Sequence, residues 1–487
     1  MSQTRTLPDA PRGIGEDWLA VWLGLIVVAL ALASWLGADL LGWAVTTKVW
    51  TDPAQALAPA TKNYAALGGP VSLLLTWLVL LAVLSLGAAA LRANVGRFAL
   101  TFSVVFWLAY ASWIVGSEAN LAVNTPADAQ KFGVSWSLRL TNEGGYIVAL
   151  LVGLVISNFL PRFADWLREA IRPELYIKTA IVILGAFVAV TAAERASFAA
   201  SLVLRGVAAI VEAYLIYWSV VYFIARKWFG FSREWSAPLA SGISICGVAA
   251  SISTGGAIRA RPLVPIVVSS LVVVFAVVEL LVLPFLAQHF LWREPLVAAS
   301  WIGLAIKTDG AAVAGGGITE SLILAKAAGE GIHYQTGWIL GTTATIKVFI
   351  DIFIGVWAFL LAWIWTRHIN PQQGDKARAR EIWQRFPKFI IGYVLTFAVV
   401  LLLALSAGPE ATAKLKGAVV EANNFRVIFF ILTFFSIGVL SNFRKLWEEG
   451  LGKLAAVYVL SLFGFVIWVG LVISWIFFAG VRPPLAG

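Results

Sequence analysis

Apolar runs of about 20 residues, the length that crosses a bilayer as a helix, recur along the chain with short polar or charged stretches between them. They place expected spans over 18–36, 69–91, 98–115, 144–160, 178–193, 198–224, 237–256, 263–288, 297–317, 336–365, 388–407, 425–441 and 455–478. The pattern predicts an all-α polytopic membrane protein with about 13 transmembrane helices. A β-barrel would show short segments of alternating hydrophobicity instead. The spacing suggests three N-terminal spans over 1–143, a five-span unit over 144–288 and a second five-span unit over 289–487. Consecutive units with an odd number of spans enter the membrane in opposite senses. Inverted five-helix repeats with broken helices are therefore expected, an arrangement that in transporters sets the substrate at the repeat interface.

Two spans break the apolar pattern. Ser241 to Arg261 reads SGISICGVAASISTGGAIRAR, rich in Ser, Gly and Thr. Non-helical backbone persists at membrane depth only where it is buried in protein or lines a wet cavity. Gly242 and Gly247 permit unwinding, and a helix resuming after Gly247 would aim free N–H groups and its positive end into the membrane. Ser241, Ser244 and Cys246 add polar side chains to this candidate anion site, as do Ser251, Ser253 and Thr254. The alternative is that small residues only let helices pack closely.

The other span reads WIGLAIKTDGAAVAGGGITE, Trp301 to Glu320. Lys307 and Asp309 lie inside it, flanked by Thr308 and Gly310. Ionisable residues at such depth are rare and costly, so they point to function. Lys307 is the candidate fixed positive charge for an anion. Asp309 is the candidate to tune Lys307 or to carry a proton or a coupling cation. A locked Lys307–Asp309 pair is the structural alternative. In span ten, Lys347 and Asp351 stand at i,i+4, the spacing of an intrahelical ion pair, and complete the charge-tuning set. Glu212 and Glu279 are isolated acids in the pattern, more commonly snorkelling or paired than proton-carrying.

Composition narrows the classes. The 487 residues are 60% hydrophobic and 13% charged, with a mean hydropathy of +0.86. One Cys excludes an intramolecular disulfide framework and a Cys-based metal cluster. His289, His333 and His368 are too scattered for a zinc or haem site. The net charge of +10 reflects Lys and Arg in loops rather than nucleic-acid binding. The inside loops carry the larger share when the N-terminus is cytoplasmic and the C-terminus periplasmic. Arg259 and Arg261 are the exceptions, falling outside by this count. Most Trp lie near span ends, as in interfacial belts. The first run, Trp18 to Leu36, lacks a clear cleavage site and is read as a retained span. HExxH, GxSxG and P-loop motifs are absent, so no enzyme activity and no cofactor are expected; GGGIT at 315–319 lacks the Lys of a nucleotide loop.

On these residues the chain resembles the sulfate exporter family of bacteria over roughly Glu174 to Trp447. LASGISICGVAASISTGGAIRAR is similar to the family's Gly-(Thr/Ser)-Ser-Ile-Cys-Gly-Ala-Ser-Ala stretch. LYIKTAIVILGAF at 176–188 and FSIGVLSNFRKL, with Asn442 in place of the usual Asp, resemble two further segments. The chain departs where many members show Ser-Ile-His-Glu-Thr-Ala-Gln. Here Ala305-Ile306-Lys307-Thr308-Asp309-Gly310-Ala311 stands instead, which alters the site. The resemblance implies a layout shared with cation–proton antiporters and bile-acid-type symporters. A core of crossed, broken helices would move against a scaffold by an elevator-type mechanism, and a homodimer would fit.

The expected function is secondary active transport of a small anion, such as sulfate or an organosulfonate, across the bacterial inner membrane. The expected partners are that anion, a coupled proton or sodium, and lipid. Two other readings stand beside it. One is a cation–proton antiporter using Asp309; the other is a channel or membrane sensor without coupled transport.

Overall fold

The computed structural model describes residues 15–123, 126–138, 144–194, 196–261, 263–369, 383, 386–443 and 452–486. The architecture is all-α, with one short antiparallel pair of strands, β1 (Val45–Thr47) and β2 (Leu57–Pro59). A helix satisfies its own backbone hydrogen bonds, which makes it the default for an apolar run in lipid. Among the described residues nine helices are long and apolar enough to cross a membrane, and a bent pair makes a tenth.

The helices that matter for the argument run in this order: α1 (Glu16–Trp35), α2 (Gly68–Ala90), α3 (Val95–Gly116), α4 (Gly144–Phe159), α5 (Pro161–Leu167) and α6 (Pro173–Glu194). They continue with α7 (Ala196–Gly206), α8 (Arg233–Ser244), α9 (Val248–Ala257), α10 (Leu263–Leu291), α11 (Pro295–Ala305) and α12 (Asp309–Gly329). The last are α13 (Trp338–Ile352), α14 (Ile354–Ile364), α15 (Phe389–Ser406), α16 (Pro409–Leu440), α17 (Gly452–Ser461) and α18 (Ile467–Phe478). The chain turns by 117° between α4 and α5, where Pro161 forces Leu160 out of the helical region. The expected span 198–224 is segmented. After α7 the helix passes through π-helical turns at Glu212–Tyr217 and Ile224–Trp228.

The spans expected over 237–256 and 297–317 do not cross. Each is a re-entrant hairpin. In the first, α8 and α9 lie side by side and antiparallel. The Thr254 hydroxyl donates to Ser241 Oγ at 2.7 Å, and the Ser251 hydroxyl reaches the Pro238 carbonyl at 3.3 Å. The hairpin's base is closed by Glu234 and Arg261. In the second, a Cβ built on Gly315 of α12 would lie 2.8 Å from Ile306 and 3.3 Å from Ile302 of α11. Gln288 at the end of α10 donates to the carbonyl of Leu322, so α12 returns to the face from which α11 set out.

The 29-residue α10 connects the two hairpin bases across the thickness of the protein. The hairpins therefore enter from opposite faces and meet tip to tip. Three of the four halves, α8, α9 and α11, are short, since a helix of 10–12 residues rises only about 15–18 Å, half a bilayer core, whereas α12 runs on for 21 residues, past its contact with Gln288. This also corrects the placement of Arg259 and Arg261. The hairpin returns them to the same face as Arg226, Lys227 and Arg233. Two of the thirteen expected crossings are lost; the ten above and the segmented run from α7 to Trp228 make eleven, so the described chain still begins and ends on opposite faces. Glu16 and Asp17 pair there with Arg172 and Lys178, whereas Gly480 and Arg482 meet Glu294 on the other.

The helices fall into two groups by packing. One comprises α1, α2, α3, α4, α6, α15 and α16; the other holds both hairpins with α10, α13, α14 and α18. Contacts between the groups are few beside those within them and are made chiefly by α6 and α16 against α10, α12 and α13. Each group takes helices from both expected five-span units. Within the first, α4 and α16 cross in backbone contact at glycines. A Cβ on Gly153 would fall 2.4 Å from the Phe435 carbonyl oxygen, and one on Gly438 would fall 2.3 Å from that of Leu150. Such small-residue crossings replace the hydrophobic driving force that lipid removes.

Candidate functional site

The two tips are the turns Ile245-Cys246-Gly247 and Ile306-Lys307-Thr308. Gly247 has φ +69°, and a Cβ there would press to 2.6 Å from Val272 while touching the Lys307 carbonyl oxygen and Thr308 at 3.3 Å. Only glycine turns the chain here without strain. Across the gap Thr308 caps α12, its Oγ1 accepting the Ala311 N–H at 3.2 Å.

Ending α8 and α11 inside the protein leaves carbonyl groups without helical partners. Lys347 of α13 supplies them. Its Nζ donates to the carbonyls of Ile245, Ile306 and Lys307 at 3.0, 3.2 and 3.3 Å, one from the first tip and two from the second. The same ammonium lies 4.0 Å from Asp309 Oδ1. The intrahelical Lys347–Asp351 pair expected from the i,i+4 spacing is not formed, because the tip carbonyls draw the ammonium across the interface. Asp351 faces the tips instead. Ligand atoms of Cys246, Asp309 and Asp351 all lie within 4.8 Å of one another, and all three residues are buried. Oδ1 of Asp309 and Oδ1 of Asp351 have no hydrogen-bond partner. Two buried carboxylates this close call for a proton or a cation between them. The trio's sulfur and oxygen atoms are the donors available to hold one.

The other predicted residues separate. Ser241 and Gly242 lie in the seam of the first hairpin rather than at its tip. Ser241 Oγ accepts from Trp218 Nε1 and Thr254, and a Cβ on Gly242 would collide with Ser251. Their oxygen and backbone are consumed by hairpin closure. Ser244 is fully buried, with a hydroxyl that has no partner. Thr308 and Gly310 line a cavity of about 20 Å³, together with Pro173, Glu174, Ile177 and Thr433. It has room for one water at the N-terminus of α12.

Lys307 points away from that cavity. Its ammonium donates to the Leu304 carbonyl and sits 4.6 Å from the centre of the Tyr217 ring. A second polar cluster surrounds it. Glu279 accepts the Lys307 backbone N–H at 3.1 Å and the Tyr458 hydroxyl at 3.2 Å, and Glu212 accepts the Tyr217 hydroxyl. The lock between Lys307 and Asp309 is therefore not formed either. Glu212 and Glu279 read as isolated acids in the sequence, yet the fold sets both beside Lys307. The sequence carries no sign of this; the structure adds a π-helical turn at Glu212, a feature that gathers at functional sites.

Comparison with known proteins agrees with this architecture as a membrane protein. The family model described as conserved hypothetical protein 698 matches residues 137–457. The UPF0324 membrane protein NE0724 of Nitrosomonas europaea is 41% identical over 477 residues, covering 96% of this chain and 97% of that protein. An uncharacterized protein of Archaeoglobus fulgidus is 51% identical over 186 residues, 34% of this chain and 97% of its own. The UPF0324 membrane protein RB9488 of Rhodopirellula baltica is 30% identical over 367 residues, 73% of this chain and 58% of that protein. No solved structure matches. On the strength of a match across the hairpins and both packing groups, the chain belongs to the conserved hypothetical protein 698 family of membrane proteins.

Proposed function

We propose that the protein is a secondary transporter that carries a small anion across the bacterial inner membrane by alternating access, coupled to protonation of the Asp309–Asp351 pair. The observation that carries this reading is the meeting of two re-entrant hairpins, from opposite faces, over buried charge. Such a junction lies within reach of both faces and is sealed from each by half the protein. The positive end of α12 at Thr308 and Gly310 would hold an anion once the water-sized cavity there widens as one helix group moves against the other. The sparse contact between the two helix groups supports movement of one against the other. The basic face that holds Arg226, Lys227, Arg233, Arg259 and Arg261 is the cytoplasmic one under the positive-inside bias, which sets the described chain's start inside.

The test is counterflow in proteoliposomes. Vesicles loaded with unlabelled sulfate should accumulate labelled sulfate, faster with a proton gradient. Asp309→Asn and Asp351→Asn should lose the dependence on the gradient. Accumulation of none among sulfate, methanesulfonate and acetate would sink the anion reading. A cation–proton exchanger is the second reading, favoured by the unpartnered oxygens of Asp309 and Asp351 beside Cys246. Proton flux driven by sodium or potassium alone would select it.

A further inference from the structure

Arg426 projects from near the midpoint of the 32-residue α16 into packed protein, and a buried permanent cation calls for a reason. It is nine-tenths buried, with 9% of its surface exposed. Its Nε donates to Asn423 Oδ1 at 2.5 Å, and its guanidinium lies 4.8 Å from the ring centre of Phe430 and 6.0 Å from that of Phe187. Among the described residues no carboxylate pairs with it. A guanidinium is a permanent cation whose remaining N–H groups form a planar fork that matches an oxyanion. Two aromatic walls and an orienting amide hold that fork, and no described carboxylate neutralises it.

Its position is also informative. Thr433, which lines the cavity at the hairpin tip, stands seven residues further along α16 on the same side, about 10 Å away along the helix axis. Phe187 lies ten residues beyond Ile177, one of three α6 residues lining that cavity. The surface of α6 and α16 that faces the hairpins thus runs from the cavity to Arg426.

We infer that Arg426 is an oxyanion-binding subsite on the helix group that faces the hairpins, set between Phe187 and Phe430 and oriented by Asn423. The subsite rests on the transport reading and gives it a substrate class: a small oxyanion, inorganic or with a short apolar tail that the two rings would flank. A bidentate oxyanion on the fork satisfies a charge that no described carboxylate pairs with.

The experiment is equilibrium binding of labelled sulfate to the purified full-length protein in detergent, with methanesulfonate and acetate as competitors. Wild type should bind. Arg426→Lys keeps the charge and the stem but loses the fork, and binding should weaken at least tenfold. Arg426→Met should abolish it. Asn423→Leu, which removes the orienting amide but keeps the cation, should give an intermediate loss. Wild-type affinity in folded Arg426→Lys and Asn423→Leu would overturn the subsite while leaving sulfate binding at Thr308 and Gly310 intact. Failure of wild type to bind any of the three anions would also overturn it, and proton flux driven by cations would then show whether the exchanger reading stands. Proton uptake in Arg426→Lys, followed with a pH-sensitive dye, separates a lost subsite from a damaged tip.

Discussion

Glu234 accepts the backbone N–H of Arg261 at 2.7 Å, although the two stand 27 positions apart, at opposite ends of a pair of antiparallel helices. Its carboxylate also faces the Arg261 guanidinium at 3.1 Å. The contact closes the base of the first hairpin and returns the chain to the face it left.

Labelling from one side tests this directly. In a Cys246→Ser background, Ser232→Cys and Arg261→Cys should both react with a membrane-impermeant maleimide from the same face, and Arg293→Cys only from the other. Reaction of Ser232→Cys and Arg261→Cys from opposite faces would restore a crossing helix.

The same contact sets a pH dependence. The Arg261 N–H and guanidinium hold the Glu234 carboxyl below the ordinary carboxylate range. A depressed pKa stabilises the folded form above the carboxyl's ordinary value, and that contribution is lost as pH falls through the lowered one. Hydrogen exchange at the hairpin base should therefore speed up under acid conditions in wild type. In Glu234→Gln it should be faster already at neutral pH, with less added by acid.

Lys347 holds both tips by their carbonyls, so Lys347→Met strands those groups and leaves Asp309 without its nearest cation. Removing one partner of a buried charged network costs about 3–5 kcal/mol. The thermal midpoint of the purified protein, read by tryptophan fluorescence, should fall clearly. An unchanged midpoint would mean that the tips do not depend on this ammonium.

Gly247→Ala tests the turn itself. The positive φ and the 2.6 Å approach to Val272 predict a loss of about 1–3 kcal/mol. Gly417→Ala, at a helical glycine whose Cβ would meet nothing, should cost no stability. Equal midpoints for the two variants would contradict the tip geometry.

Hydropathy reads out where helix forms, and each expected span coincides with helix here. It does not distinguish a crossing from a hairpin, because two half-helices and a turn occupy as many residues as one span. The halves α8 and α9 show the difference only through their shortness and through Arg259 and Arg261, whose charges fitted the topology badly. Lys307 and Asp309 declared their depth in the sequence but not their direction. Two positions apart across a turn, they face different clusters. Glu212 and Glu279 meet only because α10, the segment around Tyr217 and the second tip converge. Arg426 sat at the rim of the expected span 425–441. It becomes an interior helix residue because α16 begins at Pro409. Polar flanking residues hid that longer helix from a hydropathy window.

Cys246 is the chain's one thiol, and it stands at the tip of the first hairpin, buried against Asp309 and Asp351. The native protein thus carries its own reporter, with no engineered label needed. The sulfur is shielded in this structure, so it reacts only when a movement exposes the junction. The alkylation rate of wild-type protein therefore reads how often the junction is exposed, and a ligand that changes that exposure will change the rate.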